Sequence, residues 1–408
     1  MNTPHAVGSV LTLGAGLLLL AASSSAQGKM SSPPWGADGG PKIVFGEEDQ
    51  GVLQIDYKGQ FRMTARDTGS GVDNDDTTTS FGFRRNRIAL RGAWGDKFSV
   101  YVQTEFAGDS NVGAAGVTGS NGGTDFQILD AVMRFDLHDS FKINVGKFKY
   151  NLSRENLEVC EEALTLDRSL FIRAPYVGTR DNGVAIWGNL LKDRVQYRAD
   201  AMEGRPAASG AATPASNFRY SFRGHVTLLD PESSYGYKGT YLGEKKVFTV
   251  GGAYQVEPKV TYTDTINRIQ PRDYKAWTVD GFFEYPMKGI GTVTLSGAYE
   301  DVDLDGAYKG ATPDNGALGL TGEKNGRYGK AGYLLKDSNL QFFGRYEKWR
   351  FASLNDTIDE IVDWYGGGLN YYVWGQSLKL SAEFSHTKFD KGSVKDFNTF
   401  VTQLQLVF

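Results

Sequence analysis

The sequence predicts an all-β chain: a transmembrane antiparallel β-barrel of about sixteen strands. Three observations predict it. The last twelve residues, Phe397 to Phe408, alternate with a period of two and end on an aromatic. Segments of about ten residues with the same alternation recur along the chain, separated alternately by short turns and long polar links. Beyond the N-terminal leader, no apolar run approaches the ~20 residues that a membrane helix needs.

The chain opens with a leader. Ala6 to Ala22 carries no charge and contains Leu17 to Leu20. Small residues follow, and Ser24 and Ala26 stand three and one before a cut ahead of Gln27. That is the layout of a secretory signal peptide, although its first residues include no Lys or Arg. We therefore divide the chain into a signal peptide at 1–26, a Ser/Pro/Gly-rich periplasmic lead at 27–50, expected to be loosely ordered, and a barrel domain at 51–408. An exported membrane protein without membrane helices must be a closed barrel, because only helices and closed barrels satisfy every backbone group in hydrocarbon.

Composition agrees. Glycine is 51 of 408 residues and aromatics are 13%, against a usual glycine share of about 7%. Glycine suits tight turns, and aromatics suit the girdles at the two membrane interfaces. The net charge of −4 and the absence of a basic run exclude nucleic acid as a partner. The single cysteine, Cys160, cannot form an intramolecular disulfide.

The predicted strands are 51–65, 80–94, 98–107, 126–137, 141–148, 182–189, 194–203, 218–229, 246–256, 274–285, 290–301, 328–335, 340–351, 362–373, 377–388 and 397–408. Short turns alternate with long links, the asymmetry of bacterial barrels. The span 230–245 breaks the rule: it falls where a short periplasmic turn belongs, yet holds sixteen residues.

Each strand divides into two faces. Ile88, Leu90 and Trp94 oppose Arg85, Arg87 and Arg91; Tyr220, Phe222 and Val226 oppose Arg219, Arg223 and His225. Leu340, Phe342 and Tyr346 oppose Gln341, Phe343 and Arg345, and Leu378, Leu380 and Phe384 oppose Lys379, Ser381 and Glu383. An Arg facing lipid at mid-bilayer costs about 2–4 kcal/mol. The polar faces must therefore look into a wet interior, and a sixteen-strand barrel is wide enough to hold an aqueous channel. The pore-lining candidates are Arg85, Arg87, Arg91, Arg134, Arg194, Arg198, Arg219, Arg223, Arg345 and Lys379. Acids share those faces, among them Glu105, Asp130, Asp280, Glu284, Glu347 and Glu383.

Several stretches carry a resemblance. F-G-F-R-R-N-R-I-A-L-R-G-A-W-G-D-K-F-S-V-Y-V-Q-T-E-F-A, Phe81 to Ala107, resembles the second hairpin of the phosphate-selective porin O/P family of Gram-negative outer membranes. Leu129 to Lys149, closing on V-G-K-F-K, resembles the next hairpin, and Arg180-Asp181-Asn182-Gly183 resembles the opening of the strand after the third loop. Gly367 to Tyr372 and Leu378 to His386 resemble the penultimate hairpin. The C-terminal strand ending in Phe resembles the assembly signal of outer-membrane proteins. The resemblance implies a homotrimeric porin among outer-membrane lipid and lipopolysaccharide, with no cofactor. Its third loop would fold into the pore and pass small anionic or neutral solutes. It does not settle selectivity, because arginines and acids share the lumen faces.

The third loop, 149–181, carries the constriction candidates Arg154, Arg168, Arg173 and Arg180, and also Glu155, Glu158, Glu161, Glu162 and Asp167. Its apolar residues Leu164, Leu166, Leu170, Phe171 and Ile172 would be buried if the loop packs on the wall. Catalysis is not expected. Beyond the leader only His138, His225 and His386 could serve as bases, and each reads as a turn, lumen or strand-end residue. Cys160 stands between acids in sequence, which would raise its pKa. No metal site is expected. The alternative reading from a different class is a barrel that sheathes a partner, such as a multihaem cytochrome crossing the membrane.

Overall fold

The computed structural model describes residues 39–46, 50–73, 76–106, 126–169, 172–206, 213–214, 217–392 and 394–408. The expected signal peptide at 1–26, Leu170 and Phe171 lie outside the described residues. Seventeen strands form one sheet. They are β1 (Lys42–Phe45), β2 (Gly51–Ser70), β3 (Asp76–Trp94), β4 (Phe98–Glu105), β5 (Gln127–His138), β6 (Phe141–Phe148), β7 (Asp181–Leu190), β8 (Val195–Met202), β9 (Arg219–Thr227), β10 (Val247–Asp264), β11 (Ile269–Met287), β12 (Gly291–Asp303), β13 (Lys324–Leu335), β14 (Leu340–Leu354), β15 (Thr357–Trp374), β16 (Leu378–Phe389) and β17 (Phe397–Val407). Strands β2 to β17 pair in sequence order, each antiparallel to the next, and β17 pairs with β2. The barrel is closed with sixteen strands, so its wall leaves no sheet edge facing lipid.

All sixteen predicted strands are present. The structure differs from expectation above the lipid belt. Residues 257–273, read as a loop, extend β10 and β11 to a turn at 265–268, and only Asn355 and Asp356 separate β14 from β15. These extensions carry polar residues on both faces, so they lack the alternation that marks a strand in sequence. The lead segment also departs from the loosely ordered reading: β1 pairs Lys42 with Gln54 and Phe45 with Gly51 of β2. It occupies the edge of β2 that β17 leaves after Phe408, whose carbonyl accepts from Tyr57 N at 2.8 Å.

The faces fall as the alternation predicts, and burial is inverted relative to a soluble protein. Apolar Ile88 is 43% exposed, Phe222 59% and Leu404 47%, whereas lumen-facing Arg219 and Gln405 are 0% exposed. Inside, the third loop packs on the wall. Leu164, Leu166 and Ile172 join Phe343, Trp349, Trp364 and Val401 in one buried cluster. Tyr150, Leu152 and Ala174, from the loop's two ends, join Tyr274, Ala276 and Val302 in another. The loop thus crosses the lumen and covers the inner face of β10 to β17.

Leu404→Arg places a charge in the lipid-facing belt and should lower the yield of folded, heat-modifiable barrel by an amount matching a cost of about 2 kcal/mol or more. Leu404→Phe should leave that yield unchanged. Folding assayed by heat-dependent gel mobility distinguishes the two.

Candidate functional site

The lumen is organised by ion pairs between wall and loop. A bulge starts it. Gln60 pairs with Arg85 but the next residue, Phe61, pairs with Phe83, so Arg84 is an extra residue in β3. Such a bulge re-aims a side chain. Arg84, which strict alternation would place toward lipid, is buried beside Arg85. Asp167 of the third loop meets this group: Arg62 donates to it at 2.7 Å and Arg84 at 2.9 Å, and Arg85 lies 3.8 Å away. Burial alone would raise the Asp167 carboxyl, but Arg62, Arg84 and Arg85 prevail and hold it far below the usual carboxylate range.

Other contacts fix the rest of the loop. Its short helix α1 (Arg154–Leu157) is capped by Ser153, whose hydroxyl accepts from Asn156 N. Glu155 on that helix pairs with Lys330 of β13 and accepts from Ser169 N at 2.6 Å. Glu383 of β16 accepts from Leu166 N at 3.2 Å, and Arg345 of β14 donates to Asp167 O at 3.0 Å. Arg168 folds back on the loop and donates to Asn156 O at 2.7 Å. Arg154, 1% exposed, makes two hydrogen bonds of 2.7 Å to Glu232 in the link between β9 and β10.

That link is the sixteen-residue span that broke the turn rule. It folds into the barrel and bonds to the third loop: Val159 N donates to Tyr237 O at 2.8 Å, and Gly239 N to Glu162 O at 3.0 Å.

Most of the predicted lumen arginines face inward but are held by carboxylates or carbonyls. Arg223 binds Asp280 through two bonds of 2.6 and 2.8 Å, Arg219 binds Glu257, and Arg345 binds Glu347 and lies 3.7 Å from Glu383. Arg198 lies over the rings of Tyr235 and Tyr237 and donates to Gln196. Lys379 bonds Gln376 at 3.0 Å. Arg194 sits at the β7–β8 turn and donates to Leu228 O. The carbonyl of Arg173, where the loop returns to the wall, accepts from Lys324.

A cavity of about 400 Å³ lies against β2 to β6, lined by Lys58, Arg87, Arg91, Arg134, Lys149 and Arg180 on its basic side. Only two carboxylates, Asp130 and Glu161, share the lining. Arg87 pairs with Glu105 at 2.6 Å, Arg91 with Asp56 at 2.6 Å, and Arg180 with Asp130 at 3.1 Å. Lys149 Nζ donates to Glu158 O, and Arg134 stands over Tyr101. Arg87, Arg91, Arg134 and Arg180 were legible as candidates. Lys58 is not among them, although it shares the parity of Gln60 and Arg62; Lys149, the first residue of the third loop, carries no such pattern.

Cys160 corrects an expectation. It lines this cavity, and the acids beside it in sequence are not what surrounds it in space. Burial would raise its thiol, but Arg168, Arg85, Lys149 and Arg87 prevail and hold it well below its ordinary value. His225, read as a lumen residue, meets the hydroxyl of Tyr237 at 2.7 Å. Among the described residues no cluster of His, Cys, Asp and Glu could hold a metal ion.

A closed sixteen-strand barrel with a lipid-facing apolar belt, an infolded third loop and a charged lumen defines an outer-membrane porin. The chain belongs to the phosphate-selective porin O and P family, whose model matches residues 55–408. It is thus a channel of the bacterial outer membrane. Solved structures share the fold at low identity. The outer-membrane channel DcaP of Acinetobacter baumannii is 13% identical, with a TM-score of 0.55 over 90% of this chain and 100% of that one. An anion-selective porin from Comamonas acidovorans is 9% identical, with a TM-score of 0.58 over 88% and 100%. OprB of Pseudomonas putida is 11% identical, with a TM-score of 0.59 over 88% and 94%. No curated protein matches the sequence.

Asp167→Asn leaves three buried guanidinium groups without their shared carboxylate. We expect it to lower unfolding stability by about 3–5 kcal/mol and to make the open current noisier as the loop loosens. Urea unfolding in detergent and single-channel recording check the two effects.

Proposed function

We propose that the channel passes small hydrophilic solutes by diffusion and prefers anions, and that it works as a homotrimer whose apolar belt meets outer-membrane lipid and lipopolysaccharide. One observation carries the preference: six cations line the cavity against two carboxylates. Adding the carboxylates that pair with them from just outside, Asp56 and Glu105, and counting Cys160 as a thiolate, leaves an excess of one positive charge while Lys149 is charged. In a narrow passage with low-dielectric walls, such an excess raises the local concentration of counter-ions. Phosphate and similar oxyanions are among the solutes that fit. A filter dedicated to phosphate is less well supported, because Arg219, Arg223 and Arg345 already engage carboxylates. No observation favours the sheath for a partner protein: the third loop and the β9–β10 link occupy the lumen.

In a KCl gradient the reversal potential should lie on the chloride side. The paired change Arg134→Glu with Lys149→Glu should move it toward potassium. A wild-type value on the potassium side would overturn the reading.

Selectivity should also depend on pH. Burial pushes the Lys149 ammonium down; Cys160 opposes this, while Arg168 and Arg180 add to it, and the value falls to about 7. The group carries its charge below that pH and loses it above. Anion preference should therefore weaken as the pH rises from about 6 to about 8. Lys149→Arg, which stays charged, should remove most of that dependence. Reversal potentials measured across this range in both proteins check it.

A further inference from the structure

The other short turns between strands at this end of the barrel hold two to four residues, whereas the β9–β10 link runs from residue 228 to 246. Its inward course is fixed at several points. Glu232 accepts from Arg154, Thr249 and Tyr241. Glu284 of β11 accepts from Thr240 Oγ1 at 2.9 Å, Tyr241 N at 3.0 Å and Gly243 N at 2.9 Å. At Gly239 the link touches the third loop so closely that a Cβ would lie 2.6 Å from Leu164 N, so only glycine fits. Link and loop form one body across the lumen.

The tip of the link, Ser234 to Gly236, forms part of the wall of the 400 Å³ cavity. Tyr235 is held there: its hydroxyl donates to Asn151 Oδ1 at 3.0 Å, and its ring meets Trp187 edge-on with centroids 5.3 Å apart. It packs with Tyr101 against the cluster that contains Val132 and Phe148. These four side chains all line the cavity, beside the cations. Lys58, Arg91 and Arg134 each stand within 6 Å of the Tyr101 ring. The passage therefore combines a basic wall with an aromatic strip. A compact, strongly hydrated anion can use only the first. An anion with a planar apolar body can lay that body on the strip while its charge meets the cations, and the volume is within the ~300–1,000 Å³ of small-molecule sites.

We propose that the β9–β10 link is a specificity-determining wall of the passage, and that through Tyr235 it favours aromatic carboxylates over compact anions. This rests on the anion-passing reading above. The test compares block of the chloride current by benzoate and by acetate in planar bilayers. In the wild-type channel benzoate should dwell longer than acetate, by about two- to tenfold if one ring contact supplies the difference. Tyr235→Ser should remove most of that excess, and Tyr235→Phe, which keeps the ring, should retain it. Equal dwell times for the two anions in the wild-type channel would overturn the proposal. So would an excess that survives Tyr235→Ser. The reversal potential in KCl separates the two readings: it should not move with Tyr235→Ser, and a value on the potassium side would sink anion passage itself.

Discussion

The lumen is organised around Asp167 and the three arginines it meets. Arg62, Arg84 and Arg85 project from β2 and β3 into a space almost without solvent exposure. Three guanidinium groups buried together without a counter-charge would strongly disfavour the folded barrel. The third loop supplies that charge from about a hundred residues away in β2 and about eighty in β3. Once Asp167 is seated, Leu164, Leu166 and Ile172 fall against Phe343 and Trp364, and Glu155 reaches Lys330. The apolar contacts supply burial. The charges choose the place.

The same pairing decides where solute can go. On the side of β10 to β17, wall arginines meet wall or loop carboxylates. Between β2 to β6 and the loop segment around Cys160 lies the cavity, where the cations outnumber the acids that meet them. The β9–β10 link stabilises this asymmetry from the other end of the barrel, because Glu232 binds Arg154 and so holds the loop helix in position. Loop and link together form one wall of that cavity, through Leu157 to Glu161 of the loop and Ser234 to Gly236 of the link.

Much of this was legible in the sequence. All sixteen strands and the lipid-facing set follow from a period-two pattern that each strand carries within itself. Four of the six cavity cations were also visible, Arg87, Arg91 and Arg134 as inward-facing positions and Arg180 as a third-loop candidate. What could not be read is set by contacts between distant segments. Alternation places Arg84 toward lipid, and a bulge fixed by pairing with β2 turns it inward. Arg223 and Arg134 look alike in sequence, yet Asp280 meets Arg223 with two hydrogen bonds while Arg134 stands over a tyrosine. The span 230–245 was visible as an anomaly of length, but its inward course depends on Glu284 and Arg154. Cys160 is flanked by acids along the chain and by cations in space.

That cysteine gives the most direct measurement. It is the only one in the chain and it lines the cavity. The cations around it lower its thiol pKa, which favours reaction with a charged methanethiosulfonate. If solute moves between the basic wall and the loop, modification of Cys160 during a single-channel recording should reduce the current in steps, and Cys160→Ser should abolish the effect. Complete modification shown by mass spectrometry, with the current unchanged, would contradict the account.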